Sequence, residues 1–457
     1  MQDKYSIDWV PDSARHGQPF QQFTLWLSAN LQITAIVDGA LAVVFGVHGI
    51  TALLGLLLGN VLGGAVMALH AAQGPRLGLP QMITSRVQFG VKGAALPLLL
   101  AIFMYLGFAT TGTVLSGQAI NRILGTDGSP VGMVVFGVIT GVIAIAGYNV
   151  IHKLGRIASV VSVAGFGFLA WRLLSAHPLD TLLAGPDGDI SQLLLAMSLS
   201  AGWQLTFAPY VADYSRYLPA DTPTGKVFWP VFLGTAIGAQ CAMTFGVLVA
   251  GAGGSFIKNQ VGFMGELAGP ALAMVIYFAI VAGKLTVNCL NAYGGFMCSL
   301  TIVSGMNGAR SYSPRTRQLV IALFIMLSVV LAVFASHDFL ANFKNFVLLL
   351  LVAFVPWSAV NLIDYYLISR ERVDIPALYR ANGRYGAYNW PALISYGVGI
   401  LSQVPFISQA MYTGFAVKLL GNTDISWIVG LLVTALVYYP WAKRTTQVPA
   451  AMIFPIC

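Results

Sequence analysis

Charge is scarce in this chain of 457 residues: Asp, Glu, Lys and Arg together make up 9%, against about 25% in an ordinary soluble domain. That scarcity excludes a soluble globular protein of average make-up, and a hydrophobic content of 57% points the same way. Cysteine is scarce too. Cys241, Cys289, Cys298 and Cys457 have no metal-ligand spacing, and three of them fall in apolar runs, where packing is their expected role. There is no glycine-rich phosphate loop of the ATPase type, so work driven directly by ATP is not expected of this chain. An HExxH motif, a GxSxG elbow and paired acids are also absent, and no enzymatic activity is expected. The first twenty residues are polar and the apolar run after them is too long for a cleavable leader, so no signal peptide is expected.

What the chain has instead is a succession of apolar runs, each long enough to cross a hydrocarbon core of ~30 Å. They lie at 22–46, 48–71, 93–122, 131–150, 155–176, 190–215, 226–252, 269–300, 318–336, 341–366, 388–410 and 424–442. The expected fold is therefore an all-α membrane protein of twelve spans. Basic residues orient it. With a cytoplasmic N-terminus, that side collects Lys4, Arg15, Arg76, Arg86, Lys92, Lys153, Arg156, Arg216, Lys226, Arg310, Arg315, Arg317, Arg370, Arg372, Arg380, Arg384, Lys443 and Arg444. The opposite side holds only Arg122, Arg172, Lys258, Lys344 and Lys418, a strong positive-inside bias that also favours an even number of spans. The net charge of +8 thus reflects topology, and its scatter over short segments gives no reason to expect nucleic acid as a partner. Both termini are expected in the cytoplasm, with the chain in the inner or plasma membrane and no obligate protein partner.

Two segments resemble each other: "LSANLQIT" at 27–34 and "LSAGWQLT" at 199–206. They fall in the first and sixth spans, five apart, so the two copies would cross in opposite directions. Inverted repeats with interrupted first helices mark secondary transporters whose sites lie at midplane. Ser28, Asn30, Gln32, Thr34 and Asp38 crowd the first copy, and Ser200, Gly202, Gln204 and Pro209 the second. Proline removes a helix hydrogen bond, and carbonyls freed within lipid need a cavity, an ion or a ligand. Small polar residues also serve simply to join helices.

The eighth span contains a lysine, although a charge at that depth is costly. Lys284, Asn288, Asn291 and Gly295 recur at helical spacing as one stripe. Two carboxamides on a stripe offer paired donors and acceptors to a planar, neutral molecule, as Asn does to the edge of adenine. The alternative is that both amides bond neighbouring helices. Planar heterocycles also need faces to stack on. Trp203 lies in the second repeat copy, and Tyr105 and Phe108 share a face of the third span beside Gly107 and Gly112.

Longer segments carry a family resemblance. "SRVQFGVKGAALP" at 85–97, "APYVADYSRYLP" at 208–219, "TVNCLNAYGGFM" at 286–297, "PWSAVNLIDYYLISR" at 356–370 and "DIPALYRANGRYGAYNWPA" at 374–392 resemble signature segments of the nucleobase–cation symporter-1 family. Cytosine, purine, allantoin, hydantoin and thiamine-precursor permeases belong to it. The resemblance implies a five-plus-five inverted repeat of the LeuT type with two extra C-terminal helices. On that plan residues 1–21 form a cytoplasmic segment, 22–176 the first repeat, 190–366 the second, 388–442 the last two helices and 443–457 a cytoplasmic tail. It also implies a ligand sandwiched between Phe108 and Trp203, with polar contacts from Tyr105, Gln204, Asn288 and Asn291. Tyr105 departs from the glutamine that some members carry there.

Sodium-coupled members bind the ion between the first and eighth helices, at positions matching Ser28, Leu31, Gly283 and Thr286. Val287 replaces a second hydroxyl, which leaves an oxygen cage one ligand poorer. Lys284 stands beside this place, where its ammonium would bond the broken helix in place of sodium. A lysine charged when bonded there and neutral when apart would tie protonation to conformation, with Asp38 as its partner or proton relay. A snorkelling lysine or a fixed ion pair is the alternative. The expected function is import of a neutral nucleobase, cytosine or a purine, by cation symport with H+, or else Na+, as the coupling ion and no cofactor. A hydantoin, allantoin or hydroxymethylpyrimidine permease, an amino-acid or carboxylate symporter, and a receptor or channel are the rivals.

Overall fold

The computed structural model describes residues 7–146, 148–186, 188–308, 313–409 and 412–455, and of residues 146, 148–159, 162, 254 and 255 the backbone alone. Lys4, Arg310 and Cys457, and the side chains of Lys153 and Arg156, lie outside that description. The chain is helical almost throughout, as apolar sequence in lipid requires, because a helix satisfies its backbone groups internally. In order the helices are α1 (Phe20–Asn30), α2 (Ile33–Val44), α3 (Gly49–Leu77), α4 (Gln81–Phe89), α5 (Ala95–Leu124), α6 (Val131–Ala146) and α7 (Tyr148–Ala176). There follow α8 (Leu179–Leu182), α9 (Ile190–Leu205), α10 (Val211–Ser215), α11 (Thr224–Gly251), α12 (Gln260–Ala268), α13 (Ala273–Asn307) and α14 (Pro314–Ala335). The chain ends with α15 (Phe339–Leu362), which runs on as a π-helical turn (Ile363–Ile368), then α16 (Trp390–Gln403), α17 (Phe415–Leu419) and α18 (Ser426–Thr445). Among the described residues, length and composition alone mark five helical runs as able to cross a membrane, and six if α1 and α2 count as one bent span.

α3 shows how these helices divide their faces. Leu54, Leu58 and Leu62 are exposed, while the adjoining stripe of Gly55, Gly59 and Gly63 lies against α9. A methyl group at Gly59 would run into Ser200 and the carbonyl of Met197. Glycine every fourth residue lets two helix backbones approach where lipid gives no hydrophobic drive for their association.

The packing has a reciprocal pattern. α9 lies along α3 as α1 lies along α11, and α6 and α14 each pack on both α5 and α13. Two short helices of nine residues each, α4 wholly and α12 largely buried, precede α5 and α13. Each stops at a glycine of nearly the same geometry: Gly90 at φ 83°, ψ 163° and Gly269 at φ 81°, ψ 164°. That region of backbone space is open essentially to glycine alone.

Both expected interruptions are present. α1 and α2 meet at Leu31–Gln32 with a bend of 59°, and α9 ends at Leu205, five residues before α10, with Pro209 between them. The 388–410 run is helical only as far as Gln403. Pro405 sits in a 3-10 turn (Val404–Phe406), and the chain then forms a two-stranded hairpin, β1 (Ser408–Gln409) with β2 (Tyr412–Thr413). A proline has no N–H to continue the helix.

Candidate functional site

The break in the first span assembles the polar groups. Leu31 has ψ 69° and Gln32 is extended, at φ −143° and ψ 160°, so the helical hydrogen-bond ladder stops between them. From α13, the ammonium of Lys284 reaches this gap. It donates to Gln32 Oε1 at 2.6 Å and to the hydroxyl of Thr34. Lys284 is buried, so it does not snorkel, and among the described residues no carboxylate pairs with it. Asp38, one turn beyond Thr34, is fully buried, and neither of its carboxylate oxygens has a hydrogen-bond partner. The expected Asp38–Lys284 pair is therefore not formed, because Lys284 turns to the break itself. Ser28 bonds the Leu25 carbonyl at 3.0 Å and Thr286 the Ala282 carbonyl at 3.3 Å, both within their own helices. Leu31, Ser28 and Thr286 are partly exposed.

The carboxamides of α13, Asn288 and Asn291, lie one and two turns beyond Lys284. Asn288 Nδ2 donates to the Ala109 carbonyl at 2.9 Å and to Thr113 Oγ1 at 3.2 Å on α5. Any side chain at Gly112 would strike this carboxamide. Asn288 Oδ1 and Asn291 Nδ2 are buried with no partner. An unpaired buried acceptor and donor cost about 1–3 kcal/mol each, and here they lie on one stripe of one helix. Part of the alternative reading holds: Asn288 does bond a neighbouring helix through its nitrogen.

Aromatic rings gather beside them. Phe108 meets Trp203 edge to face, centroids 5.7 Å apart at 85°, and meets Phe346 at 5.3 Å. Tyr105 lies 5.6 Å from Tyr210, which continues through Phe207 to Trp26. A planar ligand between two parallel faces needs them about 7 Å apart, twice an optimal carbon contact. At 5.7 Å and edge-on, Phe108 and Trp203 fill that space themselves.

Gln204 faces the other way. Its Nε2 donates to Asn60 Oδ1 at 3.0 Å and its Oε1 accepts from Thr235 Oγ1 at 2.6 Å. A ligand reaches it only by displacing Thr235 or Asn60. The structure thus brings Lys284, Gln32, Thr34 and Trp203 to the first break, sets Phe108 against Trp203 and Asn288 against α5, leaves Asn291 buried on α13, and turns Gln204 into α3 and α11. Asp213 serves a helix end: its Oδ1 accepts the Gln81 N–H at 2.7 Å, the first turn of α4. Asn60 and Thr235 escaped the sequence reading. The available signal was Asn60 itself, an amide inside the run "LLGLLLGNVLGG".

Interrupted spans around buried amides and a buried lysine point to a class: multi-pass membrane transporters. The residues 9–430 match the model of the family described as permease for cytosine/purines, uracil, thiamine, allantoin, and the chain belongs to that family. It is 35% identical to the Bacillus subtilis (strain 168) protein YxlA, a purine-cytosine permease by assignment, over 96% of each chain. In three dimensions it resembles the inward-facing conformation of Mhp1, with a TM-score of 0.79, 18% identity and coverage of 100% of this chain and 98% of Mhp1. A closed conformation of Mhp1, a nucleobase-cation-symport-1 transporter with bromovinylhydantoin bound, gives 0.74 at 19% identity over 96% of both chains. These relatives are permeases and transporters, not enzymes.

Proposed function

We propose that the protein imports a neutral nucleobase, cytosine or a purine, by proton symport and alternating access. The observation that carries this is the pair of unpartnered groups on α13. Asn288 Oδ1, which lies against Gly112 of α5, and Asn291 Nδ2 are a buried acceptor and a buried donor on one helix, a pair that the edge of a flat heterocycle complements. Phe108 and Trp203 supply the stacking faces, and entry of the ring swings Phe108 off the edge of Trp203. Tyr105 borders the same space through Tyr210. Gln204 contributes after releasing Thr235.

Twelve crossings in a five-plus-five inverted repeat underlie the motion, with residues 22–176 and 190–366 as the repeats and 388–442 as two added helices. The reciprocal packing and the matched glycine ends of α4 and α12 support it. Residues 1–21 and 443–457 lie in the cytoplasm, and the membrane is the inner or plasma membrane. Coupling runs through Lys284: bonded to Gln32 and Thr34 it holds the break closed as a cation would, with Ser28, Leu31 and Thr286 around it and Asp38 as the next proton acceptor. A carboxylate substrate is disfavoured, because the ammonium it would use is already engaged.

Competition of radiolabelled cytosine uptake by adenine, hydantoin, allantoin, hydroxymethylpyrimidine and leucine tests the substrate. Inhibition by adenine alone among these fits the reading. A dominant effect of leucine replaces it with an amino-acid carrier, and hydantoin or allantoin dominance moves the ring class.

A further inference from the structure

Asn30, the last residue of α1, is fully buried at the break, and each polar atom of its carboxamide has a partner. Its Oδ1 accepts the indole N–H of Trp203 at 2.7 Å. Its Nδ2 donates to the Trp26 carbonyl at 2.8 Å and to Thr235 Oγ1 at 2.9 Å. Thr235 then donates its own hydroxyl proton to Gln204, whose nitrogen donates to Asn60. The chain is directional: a hydroxyl that receives from Asn30 has its one proton left for Gln204. It clamps Trp203 and Gln204, neighbours at the end of α9, to the end of α1. An indole has a single N–H donor, so holding that hydrogen fixes the plane of the ring.

We propose that Asn30 is a positioning residue for substrate: it sets the plane of the Trp203 ring on which the heterocycle stacks, and so governs affinity without touching the ligand. This rests on the nucleobase reading above. It gives a reason for an amide at this position of α1, since an apolar residue of the same size would leave the indole N–H of Trp203 buried without a partner and remove one donor each from the Trp26 carbonyl and Thr235.

The experiment uses the full chain in proteoliposomes with radiolabelled cytosine as probe, and the variants Asn30→Leu, Trp203→Phe and the double variant. Trp203→Phe keeps an aromatic face but has no N–H for Asn30 to hold. Asn30→Leu is expected to raise KM about five- to tenfold, the worth of one buried hydrogen bond, with Vmax within about twofold. In the Trp203→Phe background the same change is expected to add less than about twofold, because interacting sites are not additive. A second readout needs no ligand. With 5-fluorotryptophan incorporated, the fluorine resonance that vanishes in Trp203→Phe shifts in Asn30→Leu. Asn30→Ala takes its place should the leucine variant fail to fold. Penalties that multiply in the double variant, or a Trp203 resonance unmoved by loss of Asn30, overturn the proposal. Absence of cytosine transport by the unaltered protein instead overturns the nucleobase reading, and the fluorine measurement still decides the role of Asn30.

Discussion

Replacing Lys284 by methionine separates coupling from binding. The ammonium donates to Gln32 Oε1 at 2.6 Å and to Thr34, and hydrogen bonds to a charged group contribute about 1.5–3 kcal/mol each. Against this stands the cost of burying an ammonium, which is several kcal/mol even after relaxation. The two terms oppose each other, and methionine matches the length of the buried stem, so the variant is expected to fold. Its transport changes in kind. For a carrier moving one proton with each substrate, an inward gradient of about one pH unit supplies about 1.4 kcal/mol, or a tenfold accumulation ratio. Proteoliposomes of the unaltered protein should therefore concentrate radiolabelled cytosine about tenfold under that gradient. Lys284→Met should equilibrate it and go no further, while still exchanging labelled for unlabelled substrate in counterflow. Undiminished accumulation by the variant refutes the assignment of coupling to Lys284. Accumulation that follows an imposed sodium gradient in the unaltered protein refutes the proton.

Other changes probe the site and the frame around it. Trp203→Ala removes a stacking face worth about 1–3 kcal/mol and should raise the KM for cytosine about five- to 150-fold, measured by initial uptake rates. Gly112→Ala drives a methyl against the carboxamide of Asn288 and should weaken binding while leaving the thermal unfolding midpoint little changed. Gly59→Leu forces α3 away from Ser200 and Met197; overpacking of this kind costs about 1–3 kcal/mol or more, and the yield of folded protein should fall sharply on size-exclusion chromatography. Tyr438→Phe takes away the hydroxyl that donates to buried Asp364 Oδ2 at 2.8 Å, and should destabilise the protein by ~1–3 kcal/mol, seen as a lower unfolding temperature with cytosine uptake retained.

How far the sequence was legible depended on the kind of question. The two interruptions were legible because a proline and a crowd of small polar residues stand out in apolar runs, and because "LSANLQIT" and "LSAGWQLT" repeat one another. The stripe of Lys284, Asn288 and Asn291 was legible for the same reason: helical spacing fixes which side chains share a face. Spacing does not tell which neighbour that face meets. Gln204 follows Trp203 directly and looks as suited to a ligand, yet Thr235 and Asn60, from two other helices, take it up. Asn30 is in the first polar cluster, but its bond to Trp203 joins α1 to α9 across 173 residues of sequence and exists only in the folded packing. Asp38 and Lys284 looked like natural partners by charge; the acceptors at the break lie closer to the ammonium than the carboxylate does. The 388–410 run was apolar enough to continue as a helix, and Pro405 ended it.

A ring held at the first break, between the aromatic pair and the amides of α13, is the central claim, and thermal unfolding of the purified full chain with a panel of heterocycles tests it most directly. At least one of cytosine, adenine, hydantoin, allantoin or hydroxymethylpyrimidine should raise the unfolding temperature of the unaltered protein, and that rise should disappear in both Trp203→Ala and Asn288→Leu. A ring whose stabilisation survives both substitutions binds elsewhere, and the account is then wrong.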